Sequence, residues 1–310
     1  MISFYEVETG KINEAAMAAT LAYGSRAADE LSAAVAEIIG DYEDMIDENL
    51  DTGVAVCLLC DCLLVRLFDM GRYLFVFPIP LTDAADPIAA LDGVRAYAVK
   101  EELPLNVVDL PSEYIGDAVR LFSHTDVTAA SADREVFIIR AISECEAVSE
   151  PPTVIEGGLK LMPLCESDAA DYAALCRDED VNAFWGYDYR DEIKNPPDSY
   201  FYNEQLAELE RASAVTLAVK WRESFIGEAV IYHFDLKGGA EIGFRLSKKY
   251  HGRGLGTRTL KLIFRAAAEI GLTGLTASVM RENVASVRLL AKCMELVSED
   301  EKTLTYGVRL

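Results

Sequence analysis

The stretch from Glu241 to Thr259, EIGFRLSKKYHGRGLGTRT, constrains its part of the chain more tightly than any other. Ile242, Phe244 and Leu246 alternate with Glu241, Gly243 and Arg245, the two-residue period of a strand. Ser247 to Tyr250 lead into a glycine-dense turn, Gly252-Arg253-Gly254-Leu255-Gly256. Leu260, Ile263, Ala267 and Ile270 then recur at helical spacing, and Gly271 supplies the stop. A strand, a glycine turn and a helix N-terminus in immediate succession form an anion cradle. Glycine lets backbone N–H groups approach a phosphate with no Cβ in the way. The unpaired N–H groups of the first helical turn point to the same place, and the helix dipole favours negative charge there. Lys248, Lys249, Arg253 and Arg258 add four cations beside it.

The spacing separates this turn from other phosphate motifs. A P-loop ends in Gly-Lys-Ser/Thr, which is missing, and evenly spaced Gly252, Gly254 and Gly256 do not make G-x-G-x-x-G. The stretch resembles the acetyl-CoA loop of the GNAT superfamily of N-acetyltransferases, R/Q-x-x-G-x-G/A, with His251 standing where Arg or Gln is usual. Leu275 to Val279 reads as a buried strand and Asn283 to Lys292 as a helix. That helix resembles the family's N-x-x-S-x-x-L-x-x-K motif, in the form found in the branch similar to ribosomal-protein N-terminal acetyltransferases. Cys293-Met294-Glu295 replaces the Gly and aromatic that usually follow, which implies a shortened or reshaped turn. The resemblance runs over residues 154–310.

Charge is distributed unevenly. The net charge is −23, and residues 1–150 carry 9 Lys/Arg against 28 Asp/Glu while residues 151–310 carry 20 against 24. So acidic a chain repels nucleic acid and anionic membranes and draws in cationic amines. No apolar run reaches the length of a membrane span, because Val54 to Leu67 is cut by Asp61 and Arg66. Met1, Ser3, Tyr5 and Glu6 make no secretory signal, so the expectation is a cytoplasmic protein. Cys57, Cys60 and Cys62 have no second cluster and no nearby His, and read as reduced core residues; no metal site is expected.

The length suits two domains, with Ser149-Glu150-Pro151-Pro152 as the linker between 1–150 and 151–310. In the first, Lys11 to Gly40 reads as two helices and Tyr42 to Thr52 as an acidic solvated segment. Strands follow at Val54–Cys60, Cys62–Phe68 and Tyr73–Pro78, with a turn at Asp69-Met70-Gly71. Asp86 caps a helix that has Pro87 at its first position. Leu105–Val108 is a strand, Ser112–Phe122 a helix and Glu135–Ile142 a strand. The same order recurs in the second half: a strand at Leu159–Leu164, a helix from Glu166, helical residues to Arg211, then strands at Val215–Trp221 and Ile226–Phe234. The expected fold is therefore α/β (α+β), two tandem GNAT-like domains, each a mixed, mostly antiparallel sheet flanked by helices. The first lacks the CoA loop, because its turn from Ile79 to Ala85 holds Pro80 and no glycine.

The resemblance implies an acetyl-CoA-dependent acyltransferase that moves an acetyl group to a primary amine of a small molecule or peptide. Amides of Gly252, Arg253, Gly254, Leu255, Gly256 and Thr257 would hold the diphosphate. The backbone of Leu246 and Ser247 would pair with pantetheine, and Asn283 would bond to the same arm. The aromatic segment after the first helix would line the acceptor pocket, with Trp185, Tyr187 and Tyr189 in it. Glu241, or Glu228 on the neighbouring strand, would take the ammonium proton. Leu290 stands where many members have a tyrosine acid, so Ser286 would face the thiolate instead. The alternative is a non-catalytic acyl-CoA sensor or partner-binding protein.

Overall fold

The computed structural model describes residues 3–8, 24, 29–30, 32–33, 53–69, 73–100, 105–129, 136–148, 150–191 and 193–310. The helices expected over 11–40 lie outside these residues, apart from helical residues 29–30 and 32–33. The acidic segment 42–52 and the turn at Met70-Gly71 also lie outside them. The chain divides into two compact units, Met1–Ile142 and Ser143–Leu310, a division that falls just ahead of the Pro151-Pro152 pair.

The first unit is a seven-stranded sheet. Its strands are β1 (Ser3–Glu8), β2 (Gly53–Leu59), β3 (Cys62–Asp69), β4 (Tyr73–Pro80), β5 (Leu105–Pro111), β6 (His124–Ala129) and β7 (Val136–Ile142), in the order β1-β2-β3-β4-β5-β7-β6. Cys60 and Asp61 join β2 to β3 with φ of 50° and 59°, the left-handed pair that a two-residue hairpin requires. Cys60 is therefore exposed in a turn, whereas Cys62 is buried as expected and burial pushes its thiol up to about 11. Helix α1 (Pro87–Lys100) crosses from β4 to β5, which pair in parallel over Leu74–Val76 and Leu105–Val107. Ala90, Leu91, Val94 and Ala98 form its buried stripe. Helix α2 (Ser112–Val119) follows β5. Strands β1 and β6 were not expected from sequence, although in β1 Tyr5 and Val7 alternate with Glu6 and Glu8.

The second unit opens with a short helix, α3 (Glu144–Ala147), and the hairpin β8 (Val154–Glu156) and β9 (Leu159–Pro163). Helices α4 (Ala169–Arg177), α5 (Glu179–Asn182) and α6 (Asp198–Glu210) precede β10 (Ala214–Trp221), β11 (Ser224–Tyr232) and β12 (Gly239–Leu246). Helix α7 (Leu255–Ile270) crosses to β13 (Gly274–Met280); α8 (Val284–Leu290), β14 (Glu295–Glu299) and β15 (Thr303–Arg309) complete the chain. The sheet order is β14-β15-β13-β12-β11-β10-β9-β8, antiparallel throughout except for β12 and β13. From β9 to β15 this is the strand order of β1 to β7, with the one parallel pair, the crossover helix and the following helix at the same places.

One face of this sheet packs on α7. Ile231, Ile242, Leu246, Leu275, Ala277 and Val279 meet Leu260, Ile263, Ala266 and Ala267 in one apolar core. The other face is divided. Tyr172, Leu175 and Phe201 of α4 and α6 cover Ala218 and Phe225 on β10 and β11. On β13, by contrast, the residues of that face include exposed Ser278 and Met280. A polar strip of β12 and β13 is thus left open beside a covered half-sheet. Lys220 and Asp168, both nearly buried and 2.7 Å apart, tie the start of α4 to β10. The turn after α8 is as short as Cys293-Met294 implied: β14 begins five residues after Leu290, and Met294 enters the core.

Two glycines meet different demands. Val219 pairs with Gly227 but Lys220 with Phe225, so Ile226 is a bulged extra residue. The strands are so close here that a Cβ on Gly227 would lie 2.1 Å from the Arg245 carbonyl oxygen. Gly252 has open space around it and needs glycine only for its φ of 72°. Gly227→Ala should therefore cost about 3 kcal/mol, the upper end of overpacking penalties. Gly252→Ala should cost about 1 kcal/mol, the left-handed strain alone. Thermal unfolding of the full chain followed by circular dichroism checks the order; equal shifts would contradict it.

Candidate active site

The parallel pairing of β12 with β13 lasts only from Gly239 to Glu241, opposite Gly274 to Thr276. Beyond Glu241 the two strands diverge, and the edge of β12 from Ile242 onward faces a wedge. Ser247 donates its amide to the Ile226 carbonyl at 2.8 Å, so it belongs to the β11 side. The Leu246 carbonyl is met by His251 Nε2 at 2.8 Å. Of the two residues expected to offer backbone to a ligand, Leu246 keeps its amide toward the wedge, while the Ser247 amide is already used.

The chain then turns through Lys248–Tyr250 into α7. Gly254 is the N-cap, with φ of 73° and no side chain to cap the helix. Among the described residues, the amides of Gly252 to Thr257 donate to no backbone or side-chain acceptor of the chain. Several N–H groups and the positive end of a sixteen-residue helix thus converge on open space. Gly256 has another role: a Cβ there would lie 2.8 Å from Leu289 Cδ1, so it lets α7 pack against α8. The four cations have different surroundings. Lys248 is paired with Asp180 at 2.5 Å. Arg258 turns away, donating to the Glu156 carbonyl at 2.7 Å and stacking on Trp221. Lys249 and Arg253 remain beside the turn, flanking the Tyr250 ring.

The corresponding turn of the first unit is chemically different. Leu81, Ala85 and Asp86 donate their amides to the carbonyls of Asp61, Thr82 and Cys60. Asp86 Oδ1 accepts from Ala89 N at 3.0 Å, so a carboxylate fills the place an anion would take.

On the open strip, Glu241 stands on the face opposite Ile242, as the alternation implied. Burial pushes its carboxyl up, but hydrogen bonds from His233, Ser278 and Tyr232 outweigh this and hold it below the usual carboxylate range. His233 Nδ1 lies 3.2 Å from Glu241 Oε2. Glu228 is placed differently: it is 2% exposed and paired with Arg245 at 2.5 Å. Burial, then Glu228, raises the Tyr172 hydroxyl and pushes the Cys176 thiol up to about 12. Burial alone would lower Arg245, but Glu228 more than compensates.

Trp185 lies over β12, its ring 4.3 Å from the Arg245 guanidinium and against Gly243. Tyr187 is exposed nearby in sequence, and Tyr189 packs edge-on against Phe201 at 5.0 Å, in the helical layer. Asn283 caps α8, its Oδ1 accepting from Ser286 N at 3.2 Å, which leaves its amide nitrogen for a ligand. Leu290, at the position of the tyrosine, is buried in the core. The residues that sequence reading passed over are Arg245, Asn182, Tyr232, His233 and Ser278. Arg245 alone carried a signal, as a charge sharing a strand face with Glu241.

Residues 159–293 match the family model described as an acetyltransferase (GNAT) domain, so this part of the second unit is a GNAT domain. Several solved structures are similar to it. Mycobacterium smegmatis RimJ in complex with CoA-disulfide is 18% identical, with 51% of this chain and 88% of that one aligned and a TM-score of 0.44. RimL, a ribosomal L7/L12 alpha-N-protein acetyltransferase in complex with coenzyme A, is 12% identical over 51% and 98%, with a TM-score of 0.46. Spermidine N-acetyltransferase from Vibrio cholerae, in complex with CoA and spermine, is 15% identical over 50% and 96%, with a TM-score of 0.42. No curated protein matches the chain by sequence.

The Glu241 setting has a pH consequence. Its folded pKa lies below the unfolded value, so the stabilisation is fully present above the unfolded pKa and is lost as pH falls through the folded one. Carboxyl-carbon NMR should find Glu241 titrating below a free glutamate, and His233→Gln should move it upward. An unchanged midpoint in that variant would show that His233 does not hold the charge.

Proposed function

We propose that the second unit transfers an acetyl group from acetyl-CoA to a primary amine of a small molecule or peptide. The observation that carries this is the run of unsatisfied amides from Gly252 to Thr257 at the N-terminus of α7. The space around Gly252 and Gly254 is clear, so the turn fits a diphosphate. Gly252, Arg253, Gly254, Leu255, Gly256 and Thr257 would hold that group, with Lys249 and Arg253 neutralising it. The Leu246 amide and the Asn283 amide nitrogen would hold the pantetheine arm along the wedge. Acetyl-CoA supplies an activated acyl group as a thioester.

Glu241 receives the proton that the ammonium must lose, because it is ionised and stands on the open strip. Glu228 is the weaker candidate, being enclosed with Arg245. The Ser286 hydroxyl donates toward the departing sulfur; a hydroxyl is a weak acid and stabilises rather than protonates fully. Trp185 and Tyr187 border the acceptor, and Tyr189 supports them from the helical layer. One observation favours the alternative, an acyl-CoA sensor without turnover: buried Leu290 denies the site a tyrosine acid. Release of free CoA from acetyl-CoA in the presence of a free-amine peptide, spermidine, a free amino acid or an aminoglycoside separates the two. Turnover with any of them supports the enzyme; tight CoA binding with none supports the sensor. Glu241→Gln should lower kcat about 10²–10⁴-fold and leave the CoA Kd within a few fold. Normal turnover in that variant with Glu228→Gln inactive would transfer the role to Glu228.

The first unit is read as a GNAT-like domain that has lost the cradle and serves as a structural or substrate-gating partner. Its strand order supports the likeness, and the Asp86-capped turn supports the loss. Calorimetry on the full chain should therefore find one CoA per chain. Gly254→Val, a branched side chain at φ 73°, should weaken that binding by about 2–3 kcal/mol, as losing one or two charge-assisted hydrogen bonds would. A second equivalent of CoA, surviving in Gly254→Val, would place a cradle in the first unit.

A further inference from the structure

We propose that Arg245 is a positioning residue for the acceptor wall: it fixes Trp185 over Gly243 and so sets the width of the cleft beside Glu241. The inference rests on reading the open strip as the acceptor site. Trp185 belongs to neither apolar cluster of the second unit, so burial in a core does not hold it. Its ring instead meets two residues of β12. A Cβ on Gly243 would lie 3.2 Å from Trp185 Cη2, and the Arg245 guanidinium lies 4.3 Å from the ring centroid. A planar cation over an indole face is a directional contact, strongest where water is excluded. Here the Arg245 side chain is 9% exposed.

The same guanidinium grips the segment that carries the ring. It donates to Asn182 Oδ1 and, at 3.2 Å, to Cys176 Sγ. Asn182 in turn donates its side-chain nitrogen to the carbonyls of Leu175, Cys176 and Asp178, closing the end of α4. The Trp185 amide donates to the Asn182 carbonyl at 2.9 Å. Backbone and ring of Trp185 are thus both referred to Arg245. Glu228, 2.5 Å away, cancels the charge, so the guanidinium does not repel an ammonium arriving at Glu241. Beyond Trp185, Gly186 turns at φ of 84° and the Tyr187 side chain is exposed.

Arg245→Lys keeps the charge facing Glu228 and removes the planar stack and the fork toward Asn182. In a Trp221→Phe background, Trp185 is the sole tryptophan of the chain. The expected result is an acrylamide quenching constant for Trp185 raised about twofold in the ligand-free protein. With the panel amine of highest turnover, KM for the amine should rise about tenfold, the loss of one such contact, while kcat and the CoA Kd stay within twofold. The neutral pair Arg245→Met with Glu228→Gln leaves no buried unpaired charge; its kinetics, read against Glu228→Gln alone so that any part of Glu228 in proton transfer cancels, should show the same rise in KM, and its melting should match wild type. Unchanged quenching and KM in Arg245→Lys would overturn the proposal. So would a joint fall of kcat, CoA affinity and melting temperature in both variants, which marks a structural role only. If the wild-type chain turns over no amine, the acceptor reading fails, and quenching then reports separately whether Arg245 anchors Trp185.

Discussion

Two strands that begin in register and then part give the second unit its candidate site. Strands β12 and β13 share only three residue pairs, from Gly239 to Glu241 opposite Gly274 to Thr276. The crossover helix α7 packs against both, and its apolar stripe holds Ile242 and Leu246 as firmly as Leu275 and Ala277. The strands therefore cannot close the gap by sliding together. The unpaired edge of β12 is a standing demand for hydrogen-bond partners. It leads directly to the turn whose amides are also unpartnered. A long ligand with polar groups along one side and an anion at its end answers both demands at once.

The opposite face shows a different economy. Helices α4 and α6 cover β10 and β11 with apolar side chains, but the network of Glu228, Arg245, Asn182 and Tyr172 sits at the border of that cover. Removing one member of such a buried pair leaves a charge without compensation, a penalty of about 3–5 kcal/mol. The close approach of β11 and β12 at Gly227 brings the two strands together where this pair forms. Past that border the sheet is open, and the residues there are polar: Glu241, Ser278 and His233. The transition from packed to open therefore occurs within one strand, between Arg245 and Glu241.

Much of this was legible because it depended on local chemistry. Strand β12, the glycine turn and α7 follow from alternation, from glycine and from a helical stripe that Gly271 ends, and the structure has Gly271 as the C-cap at φ of 104°. The Asp86 cap and Pro87 start of α1 were equally local. Of the strands that escaped notice, β15 alternates Leu304, Tyr306 and Val308 and was readable, whereas β14 is exposed at all five residues and β8 is three residues long. Both are defined by pairing rather than by pattern. In the site, glycine positions were readable, whereas side-chain partners were not. Nothing local to Arg258 says that it will turn to Glu156, over a hundred positions earlier. Nothing near Glu241 in sequence announces that His233 and Ser278 will share its carboxylate.

The contact between Gly256 and Leu289 has a mechanical meaning. With no Cβ at Gly256, the first turn of α7 rests directly on α8, the helix that Asn283 caps. These two elements carry the two ends of the wedge: one presents the amides of the turn, the other the Asn283 side chain. Because only the Leu289 side chain lies between the two backbones, a tilt of one helix presses on the other. The two tips of the wedge are thus coupled through one close contact, and their separation acts as a ruler. A molecule gripped at both tips must have the right span between its anion and the carbonyl-rich arm.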